Sequence, residues 1–182
     1  DSNEILNIYD VFNKPTIPPI NKKINNFTEN NDQLFISTDY GISEYDLNSF
    51  EFGDTFYIGE FAGLLNISNT IFDENYIYAS SSNGGGIRRA TLDSNLIDYN
   101  NWDEIFSGSF KGMISNNGKI LFYNDQNIYT LNDGQINNVL SLNNEILHVS
   151  ADDSKIIVTS KNQCLIYDNQ FNELLFNINS ND

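Results

Sequence analysis

Apolar and polar positions along this chain fall into short runs, and one run-and-turn unit is written four times. Its clearest copy is Leu34-Phe35-Ile36-Ser37-Thr38, a turn at Asp39-Tyr40-Gly41, then Ile42-Ser43-Glu44-Tyr45-Asp46. Tyr76 to Ser80, a Gly84-Gly85-Gly86 turn and Ile87 to Thr91 make the second, with Ile120–Asn132 and Ile156–Asp168 as third and fourth. The copies start at Leu34, Tyr76, Ile120 and Ile156, which lie 42, 44 and 36 residues apart. Three consecutive apolar residues at 34–36 describe a strand covered on both faces. A strand-built period of about 40–45 residues marks stacked propeller blades.

Turn residues divide each copy into four strands. The first gives Ile24–Thr28, Gln33–Thr38, Gly41–Asp46 and Phe52–Ile58; the second Leu64–Ile71, Tyr76–Ser80, Gly86–Thr91 and Trp102–Phe106. The third gives Lys111–Ser115, Lys119–Tyr123, Asn127–Leu131 and Ile136–Leu142; the fourth Ile146–Ala151, Lys155–Ser160, Gln163–Asp168 and Leu174–Ile178. Residues 21–60, 61–108, 109–143 and 144–182 thus read as successive blades of one incomplete propeller domain. Ahead of them, in residues 1–20, Ile5 to Phe12 reads as one orphan strand, and the three prolines in Pro15–Pro19 bar a central strand there. This stretch is expected to be the last strand of a preceding blade and a connector. The expected fold is all-β: a β-propeller of about four four-stranded antiparallel blades from a larger ring, with a closed ring of four as the alternative.

Composition supports strands over helices. The chain is 40% hydrophobic and 13% aromatic, enough for a core, and only four of its residues are Ala (62, 79, 90 and 151). Many Ile, Tyr, Phe and Thr suit pleated surfaces, so almost no helix is expected. Asn, 31 of 182 residues, favours tight turns because it bonds its own backbone and tolerates positive φ. Biased codon usage accounts for its abundance equally.

The net charge of −16 is unevenly spread: from Lys23 to Arg88 no basic residue intervenes, while ten acids do. Such a surface repels nucleic acid and anionic lipid at long range, so no nucleic-acid partner is expected. It reads as a solvated, solubilising face; the sharper alternative is attraction for a cation or a basic protein patch. No apolar stretch nears the length of about 20 residues that spans a bilayer. The polar start Asp1-Ser2-Asn3-Glu4 is not a signal peptide and reads as the interior of a longer protein. Cys164, the single cysteine, sits in an apolar run and reads as a buried, inert thiol.

Several segments resemble a known family. Lys14-Pro15-Thr16-Ile17-Pro18 with Asn21-Lys22-Lys23-Ile24-Asn25 is similar to the approach to a blade in PorZ-like propeller proteins of the type IX secretion system. Thr38 to Leu47 followed by Glu51 to Gly59 is the strongest match, and Asn95-Leu96-Ile97-Asp98-Tyr99-Asn100-Asn101-Trp102 is a third. The resemblance covers roughly residues 14–102. It implies a protein secreted to the cell surface and outer membrane of a Gram-negative bacterium, with two propellers and a C-terminal sorting sandwich. It also implies attachment-complex partners, a sortase and an outer-membrane barrel protein, and a part in presenting anionic lipopolysaccharide to the sortase. This chain departs from the pattern by lacking signal peptide, second propeller and sorting domain, and by an expanded Ser80–Gly86 turn. Its acidity sits poorly with direct binding of an anionic glycolipid and favours protein contacts.

Candidate chemistry is sparse. Arg88 and Arg89 form an isolated basic pair whose side chains should point to opposite faces of a strand, one toward blade carboxylates. With Asp39 and Asp54 they are the candidate interaction residues. The carboxylates Asp39, Glu44, Asp46 and Asp54 do not make up an Asp-x-Asp-x-Asp-Gly calcium loop, and no metal site or cofactor is expected. His148, the lone histidine, lies on an inner strand without a cluster that would make it a base or a zinc ligand. Ser80–Gly86 is glycine-rich but precedes a strand rather than a helix, so it reads as a turn and not a phosphate cradle. Trp102, with Tyr99, reads as a packing anchor before a sugar platform. The sequons Asn26-Phe27-Thr28 and Asn66-Ile67-Ser68 are within chance for so much Asn. No catalytic constellation is present. The favoured reading is a non-catalytic scaffold propeller. The alternatives are a glycan-sensing periplasmic propeller of a membrane-anchored two-component regulator and a propeller lyase or glycosidase.

Overall fold

The computed structural model describes residues 14–179, which form strands and turns with three single-turn 3-10 segments, Pro19–Asn21, Glu60–Ala62 and Tyr99–Asn101. The first sheet holds β1 (Ile24–Asn30), β2 (Gln33–Thr38), β3 (Gly41–Asp46) and β4 (Glu51–Phe56). The second holds β5 (Ile67–Phe72), β6 (Tyr76–Ser81), β7 (Ile87–Thr91) and β8 (Asp103–Phe106). The third holds β9 (Gly112–Asn116), β10 (Lys119–Tyr123), β11 (Asn127–Asn132) and β12 (Gln135–Ser141); the fourth holds β13 (Ile146–Ala151), β14 (Lys155–Ser160), β15 (Gln163–Asp168) and β16 (Glu173–Asn179). Each sheet is an antiparallel meander in chain order, so the four four-stranded sheets expected from the repeat are present. The strand expected at Ile5–Phe12 lies outside the described residues.

The sheets stack face to face, and the core lies between them in three parcels. Phe35, Ile42, Phe56 and Ile58 of the first sheet and its exit meet Ile67, Ile77, Ala79, Ala90 and Trp102. Tyr78 and Ile87 meet Phe110, Met113, Ile120, Phe122 and Leu131. Leu121, Tyr123 and Ile128 meet Ile146, Val149, Ile156, Val158 and Leu165. Middle strands are therefore apolar on both faces, which is why Ile120-Leu121-Phe122-Tyr123 is buried throughout. The opening strands sit innermost: β1 abuts β5, β5 abuts β9, and β9 abuts β13.

Asp and Asn side chains cap several of the turns. Asp46 Oδ1 accepts the backbone N–H groups of Asn48 and Ser49, both at 2.8 Å. Asp73, Asn124, Asp152 and Asp168 cap their own turns in the same way.

Some boundaries differ from the sequence reading. The strand expected from Leu64 begins at Ile67, because residues 59–63 close a tight loop and Leu65 packs on the first core from outside a strand. Strand β7 starts at Ile87, since Gly86 sits at φ 72° and a Cβ there would run into the Phe106 carbonyl oxygen. Trp102 closes a 3-10 turn through its N–H to Tyr99 O and does not open β8.

Candidate interaction surface

Sheet is tied to sheet by a repeated joint beside the axis. A bulge in β1 falls between Ile24 and Asn26 and turns Asn25 toward the next sheet, where its Nδ2 donates to Ile67 O at 2.8 Å. Strand β5 carries the same bulge between Ile67 and Asn69, and Ser68 Oγ donates to Phe110 O at 2.8 Å. Lys111, just before β9, sends Nζ to Ile146 O at 2.9 Å. Each acceptor directly precedes the next sheet's counterpart residue. In the fourth sheet that counterpart is Leu147, half exposed, whose side chain carries no donor.

Two joints recruit carboxylates. Asp39 Oδ1 accepts from Asn25 Nδ2 at 2.8 Å and from Asn66 Nδ2 at 2.7 Å. Lys111 Nζ pairs with Asp125 at 2.8 Å and Glu145 at 2.5 Å. Partial burial works to lower the Lys111 pKa, but hydrogen bonds and charge from Asp125 and Glu145 outweigh it and hold the ammonium above its usual range. Around the axis the opening strands line a cavity of about 540 Å³ whose polar groups include Asn25, Asn26, Ser68, Asn69 and His148. His148 is exposed there.

A groove of about 640 Å³ runs between the second and third sheets. Arg89 lies in it with its guanidinium 4.4 Å from the Tyr76 ring centroid. Tyr78 donates its hydroxyl to Asp73 Oδ2 at 2.7 Å; burial, then that bond and the Asp73 charge, push the phenol well above its ordinary range. Arg88 points the other way and pairs with Glu104 at 3.4 Å. Asp54, exposed on β4, stands beside Glu44, whose carboxyl is raised by burial and by the Asp54 and Asp46 charges against a backbone hydrogen bond from Asp54.

The four residues singled out in the sequence are thus not brought together: Asp39 is in the first joint, Arg88 on Glu104, Arg89 in the groove and Asp54 on an outer strand. Among the described residues, no three His, Cys, Asp or Glu side chains gather to hold a metal ion. The Ser80–Gly86 loop organises around Ser81 Oγ, which meets Asn83 and Gly85, and leads into strand β7. Trp102 is 4% exposed in the first core and donates its indole N–H to Leu96 O at 3.0 Å. The sequence reading missed Lys111 as a joint. Aligning the opening strands, which puts Lys111 at the place of Asn25 and Ser68, would have found it.

The fold and its joints define a β-propeller assembly, and comparison with known proteins agrees. The PorZ N-terminal β-propeller domain of the type IX secretion system matches residues 1–103, and the chain belongs to that family. Among solved structures it is similar to PorZ of Porphyromonas gingivalis, described as an essential bacterial surface component of that system, with TM-score 0.65 and 15% identity over 88% of this chain and 21% of that one. It is also similar to the extracellular domain of BT4673 from B. thetaiotaomicron, a candidate one-component system, with TM-score 0.63 and 18% identity over 81% of this chain and 22% of that one. BT3049 from the same organism, a candidate hybrid two-component system, gives TM-score 0.62 and 17% identity over 80% and 21%. At these identities the likeness is one of fold, and the chain spans about a fifth of each of those proteins. No curated protein matches the sequence. Among the described residues no helix is long and apolar enough to cross a membrane.

Proposed function

We propose that this propeller is a non-catalytic scaffold of type IX secretion, held at the outer-membrane surface and acting through protein contacts. The family match over residues 1–103 is the observation that carries this reading. The sortase and the outer-membrane barrel protein of the attachment complex are the proposed partners, and anionic lipopolysaccharide is the material whose delivery to the sortase the scaffold assists. A surface of net charge −16 favours contact with basic protein patches over direct grip on an anionic glycan. Residues 21–60, 61–108, 109–143 and 144–182 are the proposed blades. Of the four residues singled out, Asp54 is the contact candidate on an exposed strand and Arg89 the one that lines the groove from its place on Tyr76, while Asp39 and Arg88 are engaged by neighbouring polar side chains.

Excision of residues 14–179 from the full-length protein in its native cell tests this. Cargo should appear in the medium instead of on the surface; unchanged anchoring would contradict the scaffold role. The likeness to the BT4673 and BT3049 extracellular domains favours a second reading, a glycan-sensing propeller of a membrane-anchored regulator. In that case excision would leave anchoring intact and abolish a transcriptional response to oligosaccharide.

A further inference from the structure

The loop that carries the chain from the first sheet to the second turns on two left-handed residues that have side chains. Phe61 (φ 53°, ψ 38°) and Ala62 (φ 55°) both occupy the left-handed region, which is unfavourable for residues with a Cβ and an outlier for a bulky one. Phe50 and Phe171 share that conformation, but each closes a hairpin turn by donating its N–H to Asp46 O or Asp168 O. Phe61 and Ala62 instead make the turn that Gly63 N–H closes on Glu60 O, in a connection between sheets, and 85% of the Phe61 surface is exposed. The turn accounts for the backbone conformation but not for a phenyl ring at its tip, where Gly or Asn would fit with less strain, and that exposed ring points to a use outside the fold.

The loop is rigid. Gly59 N–H donates to Gly63 O at 3.2 Å and Gly63 N–H to Glu60 O at 2.9 Å. A Cβ on Gly59 would lie 2.6 Å from Gly63 O, so the closure needs glycine there. Ile58, fully buried, anchors the near end. Across from the loop, the Tyr99 ring stands 6.4 Å from that of Phe61. Tyr99 belongs to a second fixed loop, pinned by Asn101 Nδ2 to Asn95 O at 2.9 Å and by Trp102 Nε1 to Leu96 O. Leu64 and Ile97, 43% and 51% exposed, extend the apolar area. Glu60 and Asp98, both exposed, flank it, and no Lys or Arg occurs between Lys23 and Arg88.

We propose that Phe61, with Leu64, Ile97 and Tyr99, is a docking knob for a protein partner that offers an apolar socket rimmed by Lys and Arg. A prearranged aromatic is the kind of residue that concentrates interface energy, since little entropy is lost when it docks. The acidic rim selects the partner's charge and speeds encounter. The knob rests on the reading of this chain as a protein-binding propeller.

The test uses full-length protein and arrays of short peptides with Leu, Met or Phe centres flanked by Lys and Arg or by Asp and Glu. Wild type and the control F50S should retain the basic-flanked set, and Phe61→Ser should weaken it by about thirtyfold, a hot-spot-sized loss. Phe61→Gly should lose binding while raising Tm, because glycine removes the left-handed strain. Equal retention of both peptide sets, or F61S binding like wild type, would overturn the proposal. So would concentration-dependent self-association that needs Phe61 and no peptide. Capture from outer membranes separates the two levels. If wild type and F61S recover the same secretion components, the knob fails and the scaffold stands. If wild type recovers none, the scaffold reading itself fails.

Discussion

Asn25 Nδ2 donates to the carbonyl oxygen of Ile67, 42 residues further along the chain, at 2.8 Å. Ser68 reaches Phe110 across 42 residues and Lys111 reaches Ile146 across 35, so the sequence repeat and the hydrogen-bond repeat are one pattern. The joint fixes the rotation of each sheet on the next, while the apolar parcels supply most of the adhesion.

Asn25→Ala should destabilise the chain by about 1–3 kcal/mol, since Ile67 O loses its side-chain donor and Asp39 keeps only Asn66. Chemical denaturation measures it. A double-mutant cycle with Asp39→Ala should show coupling between the two positions; additive losses would contradict the joint.

Lys111 sets a limit at high pH. Its pKa is raised in the fold, so its contribution is fully present below the unfolded value, near 10.4, and is lost as pH rises through the folded value. Wild type should therefore lose thermal stability on the alkaline side more steeply than Lys111→Met, which has no proton to lose there. Parallel Tm–pH curves would count against the ionic joint.

Trp102→Ala should cost about 3–5 kcal/mol, as expected for a large aromatic removed from a core. Trp102→Phe keeps most of the packing but releases Leu96 O, and should cost about 1 kcal/mol. Amide exchange in loop 95–101 should rise in both variants, and an unchanged loop would show that the indole bond does not pin it.

How much of this was legible beforehand depends on range along the chain. Strands such as Lys119–Tyr123 and Gln163–Asp168 were readable because a short apolar run bounded by turn residues is a local signal. The fourfold repeat was readable because blade after blade solves the same packing problem. The joints show only when the opening strands of successive blades are aligned, because Asn25, Ser68 and Lys111 share a place and a donor group but not a residue type. Arg88 and Arg89 parted to opposite faces as strand geometry requires, but their targets, Glu104 and Tyr76, depend on neighbouring strands and register. Phe61 left no periodic signal, and only the glycines at 59 and 63 bracket it.

Carboxylates in different settings should respond to acid with opposite signs. Glu44 is raised, so its ionisation opposes folding as pH climbs through its unfolded toward its folded value. Glu44→Gln should raise Tm at pH 7 and change it little near pH 3. Asp152, lowered by hydrogen bonds from Ser154 and Lys155, contributes stability above its unfolded value near 3.9 that is lost as pH falls through its folded value. Asp152→Ala should lower Tm at pH 7 and converge with wild type in acid. Failure of the two curves to diverge at neutral pH would refute these assignments.

The scaffold role is tested most directly by affinity capture from native outer membranes, with the full-length protein as bait and mass spectrometry as readout. Recovery of the sortase and its outer-membrane barrel partner is the expected result. Recovery of no secretion component, with free oligosaccharide bound instead, would contradict the account and leave the sensor reading in its place.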